Sequence, residues 1–301
     1  DREGNPAPPN AQFGWRPFSA TSPLPFTSPP QLLLDLPQPA TCKIIHSHYV
    51  PTQEKWMQTV EKALQSGLQK VVLARCHVLE LEEAPDPFAL TASLQTRRLG
   101  ATLFCLAEGK KAFFGASPER LFRRKKTQLE TEALAGTLPK ETPFSQFGAK
   151  EEREWLAVQT FLEETLTPLS TSPIQLGAKK IHTTYNLQHL YSQLSLQLQK
   201  EVTDSMLLDA LHPTPALCGT PQKAAEKWIL EHEPFDRGLY GGTIGWSTED
   251  DAEWIVAIRS CFLNEKQAFL YTGVGIVLGS DPEKEWEELN QKEKLFSKTF
   301  I

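Results

Sequence analysis

Strand-forming segments in this chain come in consecutive groups, with helices falling between the groups rather than after each strand. ATLFCLAEGKKAFFGASPERLFRRKKTQLETEAL (101–134) reads as a meander with turns at Glu108-Gly109 and near Lys125. Three more strand-like runs, LYGGTIGWS, AEWIVAIRSCFLN and QAFLYTGVGIVLG, follow one another with only STEDD and NEK turn segments between them. Parallel neighbours would need a crossover of about a dozen residues or more at each step, which these turns do not provide. The pattern therefore favours an α+β fold with antiparallel sheets over a doubly wound βαβ repeat.

The remaining elements fit around that frame. TQEKWMQTVEKALQSG (52–67) spaces Trp56, Val60, Ala63 and Leu64 as one helical face and stops at Gly67. KVVLARCHVLEL (70–81) is rich in β-branched and aliphatic residues and reads as a strand. Helices are predicted at 148–166 and after Tyr185, and 207–233 reads as helix, Pro/Gly loop, helix. A last helix opens at Asp281-Pro282, a capping residue followed by proline at the first helical position. Residues 1–40 hold ten of the 23 prolines and cannot run a regular helix or central strand. They are read as a Pro-rich N-terminal arm, in which Leu32, Leu33 and Leu34 could dock on the main body. Nothing between 41 and 301 resembles a linker, so that stretch is read as one domain.

Composition narrows the function classes. A net charge of -6 argues against a nucleic-acid surface as the chain's main business, while leaving room for a small anion in a locally basic pocket. No apolar run approaches the ~20 residues of a membrane helix. Five cysteines, widely spaced and without a CxxC, fit neither a disulfide framework nor a zinc ribbon and suggest a reducing, cytoplasmic or plastid-like interior. The start at Asp1, without Met or a leader pattern, reads as a processed or trimmed end.

Several residues could support chemistry. Glu151 and Glu154 in KEERE, and Glu285 and Glu288 in EKEWEEL, are each three apart and share a helix face. Lys292 lies one turn beyond Glu288. Were the two helices to face each other, four carboxylates would converge into an all-oxygen set suited to Mg²⁺; helix glutamates are more often solvated surface. Lys70 at a strand edge would ordinarily reach solvent, yet a lysine desolvated beside other cations can act as a base. Glu119 in GASPERLF follows a turn that could aim it into a cleft. Alternation in WIVAIRS points Arg259 opposite to Ile258, as a carboxylate clamp or an edge-strand surface charge. The glycine-rich loops ALAGT (133–137), CGTP (218–221) and TGVGI (272–276) match no nucleotide-binding fingerprint but could bring backbone N–H groups close to a carboxylate. His46-Ser47-His48 resembles a metal pair only by count.

Taken in order, KVVLAR, GASPERLF, TEALAGT, KEERE, LHPTPALCGTP, RGLYGGTIGW, AIRS, TGVGI and SDPEKEWEELNQK resemble the chorismate-utilising enzyme family over about residues 45–300, most of all its menaquinone-type isochorismate synthases. The resemblance implies a four-layer α/β/β/α body with two face-packed antiparallel sheets, and makes 41–301 a chorismate-binding catalytic domain. It implies Lys70 as the base that activates water at ring C2 and Glu119 as the acid that assists loss of the C4 hydroxyl. By the same resemblance Glu151, Glu154, Glu285 and Glu288 gather around Mg²⁺, which holds the ring carboxylate. Tyr240, Arg259 and the backbone near Gly273 meet the pyruvyl carboxylate, and Gly136, Thr137, His189 and Lys292 line the pocket. Relatives that make aminodeoxychorismate have a lysine where this chain has Ala135, and aminating relatives usually show PIxGT instead of ALAGT, so water is the expected nucleophile. Trp155 departs from the pattern, standing where relatives often have histidine. Two alternatives remain at this point: a salicylate synthase using the same pocket, and a weakly catalytic homologue serving as a partner subunit. The resemblance further implies a monomer; composition has already pointed to a cytoplasmic setting with no nucleic-acid or membrane partner.

Overall fold

The computed structural model describes residues 7–8, 10–20, 36–97 and 100–301. Among them the strands run β1 (Gln12–Arg16), β2 (Ile44–Val50), β3 (Lys70–Leu81), β4 (Thr102–Glu108), β5 (Lys111–Ser117), β6 (Arg120–Lys125), β7 (Gln128–Pro139), β8 (Gln175–Leu176), β9 (Lys180–Thr183), β10 (Leu187–Gln197), β11 (Gly219–Thr220), β12 (Thr243–Ser247), β13 (Asp251–Val256), β14 (Ser260–Asn264) and β15 (Gln267–Val277). The helices are α1 (Gln53–Gln65), α2 (Pro87–Leu94), α3 (Ala149–Leu166), α4 (Asp204–Leu211), α5 (Gln222–His232) and α6 (Pro282–Glu293). None is long and apolar enough to cross a membrane.

Two antiparallel sheets result. The first has the order β1-β12-β13-β6-β7-β10-β8, with β9 also on β10; the second has the order β11-β3-β15-β14-β5-β4, with β2 also on β3. Phe104, Phe113 and Phe262 of the second sheet meet Trp15, Ile244 and Ile255 of the first, which sets the sheets face to face. Helices cover both outer faces. Trp155, Val158 and Leu162 of α3 pack on Ala133, Leu190 and Leu194 of the first sheet. On the second, Trp56 and Val60 of α1, Ile229 of α5 and Trp286 of α6 close over Val71, Leu73, Val274 and Ile276. This is the expected α+β body, with layers α/β/β/α.

Local chemistry explains the elements that match expectation. Thr52 caps α1, and Asp281 accepts from the N–H groups of Glu283 and Lys284 at the start of α6. Two expectations are corrected. The segment after Tyr185 is strand β10, not a helix: Leu187, Leu190 and Leu194 imitate helical spacing, but every residue from Leu187 to Ser192 is buried, with α3 packed over Leu190 and Leu194, so apolar residues are not confined to alternate positions. AEWIVAIRSCFLN is two strands in different sheets, β13 and β14, with Ala257, Ile258 and Arg259 making the crossing. Part of the Pro-rich stretch, Gln12–Arg16, pairs with β12 as the edge strand of the first sheet, where missing ladder bonds are tolerated. Leu32, Leu33 and Leu34 lie outside the described residues.

One buried cation locks α6 onto the second sheet. Arg75 is 0% exposed, and its guanidinium is sandwiched between the rings of Tyr49 and Trp286 at 4.3 and 4.2 Å. It donates to Asn290 Oδ1 at 2.9 Å and Glu293 Oε2 at 3.0 Å. Removing the cation alone would leave the largely buried Glu293 carboxylate with only His77 Nδ1, 2.5 Å from its Oε1, to offset its charge. Arg75→Met is therefore expected to cost about 3–5 kcal/mol of unfolding free energy, read as a shift in the urea midpoint, with Glu293→Gln in the same background recovering part of it. A midpoint unchanged in Arg75→Met would show that the cation bears no such load.

Candidate active site

The chain leaves one sheet for the other at Pro118-Glu119, between β5 and β6, and again at Ala257–Arg259, between β13 and β14. The two crossings lie side by side: Val256 N–H donates to Glu119 O at 3.1 Å and Ala116 N–H to Arg259 O at 3.2 Å. They form one wall of a cavity whose other walls come from β3, β7, β10, β15, α3, α6 and the connecting segments at 216–217 and 237–241. Arg259 is not in an alternating strand. Its φ of 52° puts it in the left-handed region, so both Ile258 and Arg259 line the cavity instead of pointing oppositely.

Of the residues singled out from sequence, Lys70, Glu119, Gly136, Thr137, Glu154, His189, Tyr240, Arg259, Gly273, Glu288 and Lys292 line this one cavity. Lys70 is 5% exposed at the first position of β3, held by pairing with Thr220 and Val277 on either side. Its ammonium is 3.7 Å from Glu154 Oε2. A Cβ on Gly275 would lie 2.7 Å from Lys70 Cε, so glycine at that position makes room for the lysine. Gly136, at φ 67°, passes so close to α3 that a Cβ would lie 2.9 Å from the Glu151 carbonyl oxygen. Glu119 is 7% exposed. Lys292 Nζ donates to Gly273 O at 2.7 Å and lies 2.7 Å from Glu288 Oε1. Burial lowers the pKa of Arg259 to about 10, against the pull of Glu288 and Tyr240, and raises that of the Tyr240 phenol.

The four glutamates do not all meet. Glu154 and Glu288 line the cavity; Glu285, 2% exposed, lies behind it and pairs with Lys150 at 2.6 Å. Glu151 turns back to accept from Gly148 N–H at 2.8 Å, capping its own helix. Among the described residues no three His, Cys, Asp or Glu side chains stand ready to hold a metal. The donor chemistry nevertheless fits Mg²⁺ at Glu154, Glu285 and Glu288. The set is all-oxygen, Glu285 Oε2 is buried without a hydrogen-bond partner, and all three carboxylates bear on one ammonium, that of Lys150. His46 and His48 sit exposed on β2, with ring centroids 6.0 Å apart, away from this cavity. Trp155 lies under the site in the α3 core, with Lys179 Nζ over its ring at 5.0 Å.

Sequence reasoning missed Lys150 and Arg237. Arg237 lines the cavity, fully engaged by Glu233, Val72 O and Leu217 O and covered by the Phe18 ring at 4.3 Å. The Glu233–Arg237 spacing of four was the available signal.

A buried, cation-lined pocket opening between two face-packed antiparallel sheets defines a site for a small anionic molecule. The family model described as "Chorismate binding enzyme" matches residues 33–299. Isochorismate synthase 2, chloroplastic, of Arabidopsis thaliana is 36% identical over 273 residues, covering 85% of this chain and 49% of that protein. The structure of MenF, the menaquinone-specific isochorismate synthase from Escherichia coli, superposes with a TM-score of 0.81 at 30% identity, over 89% of this chain and 65% of that one. The putative 2,3-dihydroxybenzoate-specific isochorismate synthase DhbC from Bacillus anthracis gives 0.81 at 28% identity, over 97% and 83%. The chain belongs to the chorismate-binding enzyme family. It spans about half the length of the curated plant relatives it matches.

His189 supplies a pH test of this geometry. Its Nδ1 lies 3.1 Å from Thr137 Oγ1, and its Nε2 is buried without a hydrogen-bond partner. Burial first, then Arg259 and Lys292, holds its pKa well below 6.5. Its ring resonances should stay those of neutral imidazole as the pH is taken from 8 through 6.5, where a free histidine is already half protonated. Below about pH 6.5 the unfolded chain takes up a proton that folded His189 refuses. Its contribution to stability is thus present above that pH and lost on acidification, by up to about 1.4 kcal/mol per unit. His189→Gln should flatten that slope; a slope the substitution leaves unchanged would refute the assignment.

Proposed function

We propose that this chain isomerises chorismate to isochorismate with Mg²⁺. The observation that bears most weight is the placement of Lys70 and Glu119, both buried, on the walls of one cavity whose cations suit a dicarboxylate. Lys70 takes a proton from a water that bonds to ring C2. The ring double bond shifts, and the C4 hydroxyl leaves with a proton from Glu119. One water enters and one departs, so no redox cofactor is required. Arg259 and Tyr240 orient the pyruvyl carboxylate, with Lys292 as a further cation. Glu154, Glu285 and Glu288 would hold Mg²⁺, which would orient the ring carboxylate and offset its charge. Ala135, at the cavity wall, leaves space for water rather than a covalent nucleophile. All five cysteines are free, in keeping with a reducing interior such as the cytoplasm, and a monomer is sufficient because one chain supplies every wall of the pocket.

Incubation with chorismate and Mg²⁺, analysed by chromatography and proton NMR, should yield isochorismate, and EDTA should abolish it. Lys70→Ala should lower kcat by about 10²–10⁴-fold at unchanged folding. Salicylate with pyruvate as the products, or turnover that survives Lys70→Ala, would overturn this reading.

A further inference from the structure

Lys150 occupies an unfavourable place for a cation. It is the second residue of α3, within the first turn, where the helix dipole disfavours positive charge. Its side chain nevertheless extends away from its own helix to α6, where the ammonium lies 2.6 Å from Glu285 Oε1. The pair is lopsided: the Glu285 side chain is 2% exposed and that of Lys150 31%, so the lysine approaches from the solvent side. Glu285 has a second oxygen, buried and without a hydrogen-bond partner. Burial and Glu288 both push its pKa up, and Lys150 is the strongest influence opposing them. Glu154 and Glu288 act on the same ammonium. An ammonium on a flexible four-carbon stem, partly in water, can be exchanged without disturbing the fold.

We propose that Lys150 is a displaceable counter-ion and positioning residue: it holds Glu285 in place between α3 and α6, and a divalent cation reaches that carboxylate by exchanging with the lysine ammonium. The proposal rests on the reading of Glu154, Glu285 and Glu288 as a Mg²⁺ set. Its consequence is that the chain's own lysine competes with the metal, so metal affinity in the absence of substrate lies below what three carboxylates alone would give.

Calorimetric titration of MgCl₂ into the full chain, without chorismate, tests this. Lys150→Gln should bind Mg²⁺ about three- to tenfold more tightly than the wild type, and Lys150→Arg, which keeps the charge, should not. In the unaltered protein, acetylation of Lys150 by acetic anhydride, read by mass spectrometry, should rise on adding MgCl₂ and not on adding KCl of equal ionic strength. Equal or weaker binding by Lys150→Gln, or labelling indifferent to Mg²⁺ while the metal binds, would overturn the exchange and leave the Mg²⁺ reading standing. Absence of any Mg²⁺ binding to the wild type and both variants would remove the two together.

Discussion

At Pro118-Glu119 and at Ala257–Arg259 the backbone passes within a few residues from a strand of one sheet into a strand of the other, and these two crossings are hydrogen-bonded to each other through Ala116, Arg259, Val256 and Glu119. A β-sandwich normally keeps its inter-sheet space closed with interdigitated side chains, as Phe104, Phe113, Ile244 and Ile255 do here. Where strands leave one sheet for the other that packing cannot continue. The backbone must turn, and the residues at the turn face a gap instead of a neighbour. Glu119 and Arg259 are the residues at those turns, which is why a carboxylate and a guanidinium can be buried at the mouth of an otherwise apolar sandwich. The left-handed conformation of Arg259 follows from the same geometry, since its carbonyl must reach back to Ala116 while its side chain faces the cavity.

The site is also a chain of charge pairs. Lys70 of β3 faces Glu154 of α3, Lys150 of α3 meets Glu285 of α6, and Lys292 faces Glu288 within α6. Buried pairs of this kind are poor sources of stability, because the cost of desolvating both ions rivals their attraction. Hydrophobic residues of similar volume would hold α3 and α6 together at least as well. Their use here makes sense if the carboxylates and ammonium groups are needed individually: lysines to meet or deprotonate a ligand, glutamates to hold a cation. A protein with a net charge of -6 thereby presents cations where a dianion would bind.

How much of this was legible in the sequence depended on whether the signal was local. Helix α1 has a clear apolar stripe, and α6 has at Asp281-Pro282 a cap that reads directly. The glutamate pairs are visible as spacings of three. Strand β10 was not legible because burial on both faces removes alternation and leaves leucines at helix-like intervals. The sheet crossing at Arg259 was hidden because a left-handed residue inside an apolar run has no composition signature when it is not glycine. Lys150 was hidden for another reason: its partner is on a helix 135 residues away, and in sequence it reads as the solvated start of KEERE. Lys70 and Glu119 were nameable from sequence only through the ordered set of family motifs, since a strand-edge lysine and a turn glutamate are each unremarkable alone.

Helix α6 shows how one short element can serve both the core and the site. Successive residues on a helix are separated by about 100°, so Glu285, Glu288 and Lys292 form one stripe and Trp286, Asn290 and Glu293 the stripe beside it. The second stripe is the one Arg75 grips, by its ring, amide and carboxylate in turn. Because Arg75 and Lys70 belong to the same strand, β3, the grip fixes the acidic stripe relative to the strand that bears the base. Any rotation of α6 that moved Glu288 out of the cavity would also have to pull Trp286 off the Arg75 guanidinium, and so expose a charge and an indole together. The geometry of the site is in this way tied to packing outside it, and the orientation of the carboxylates is set by a buried arginine that does not line the pocket.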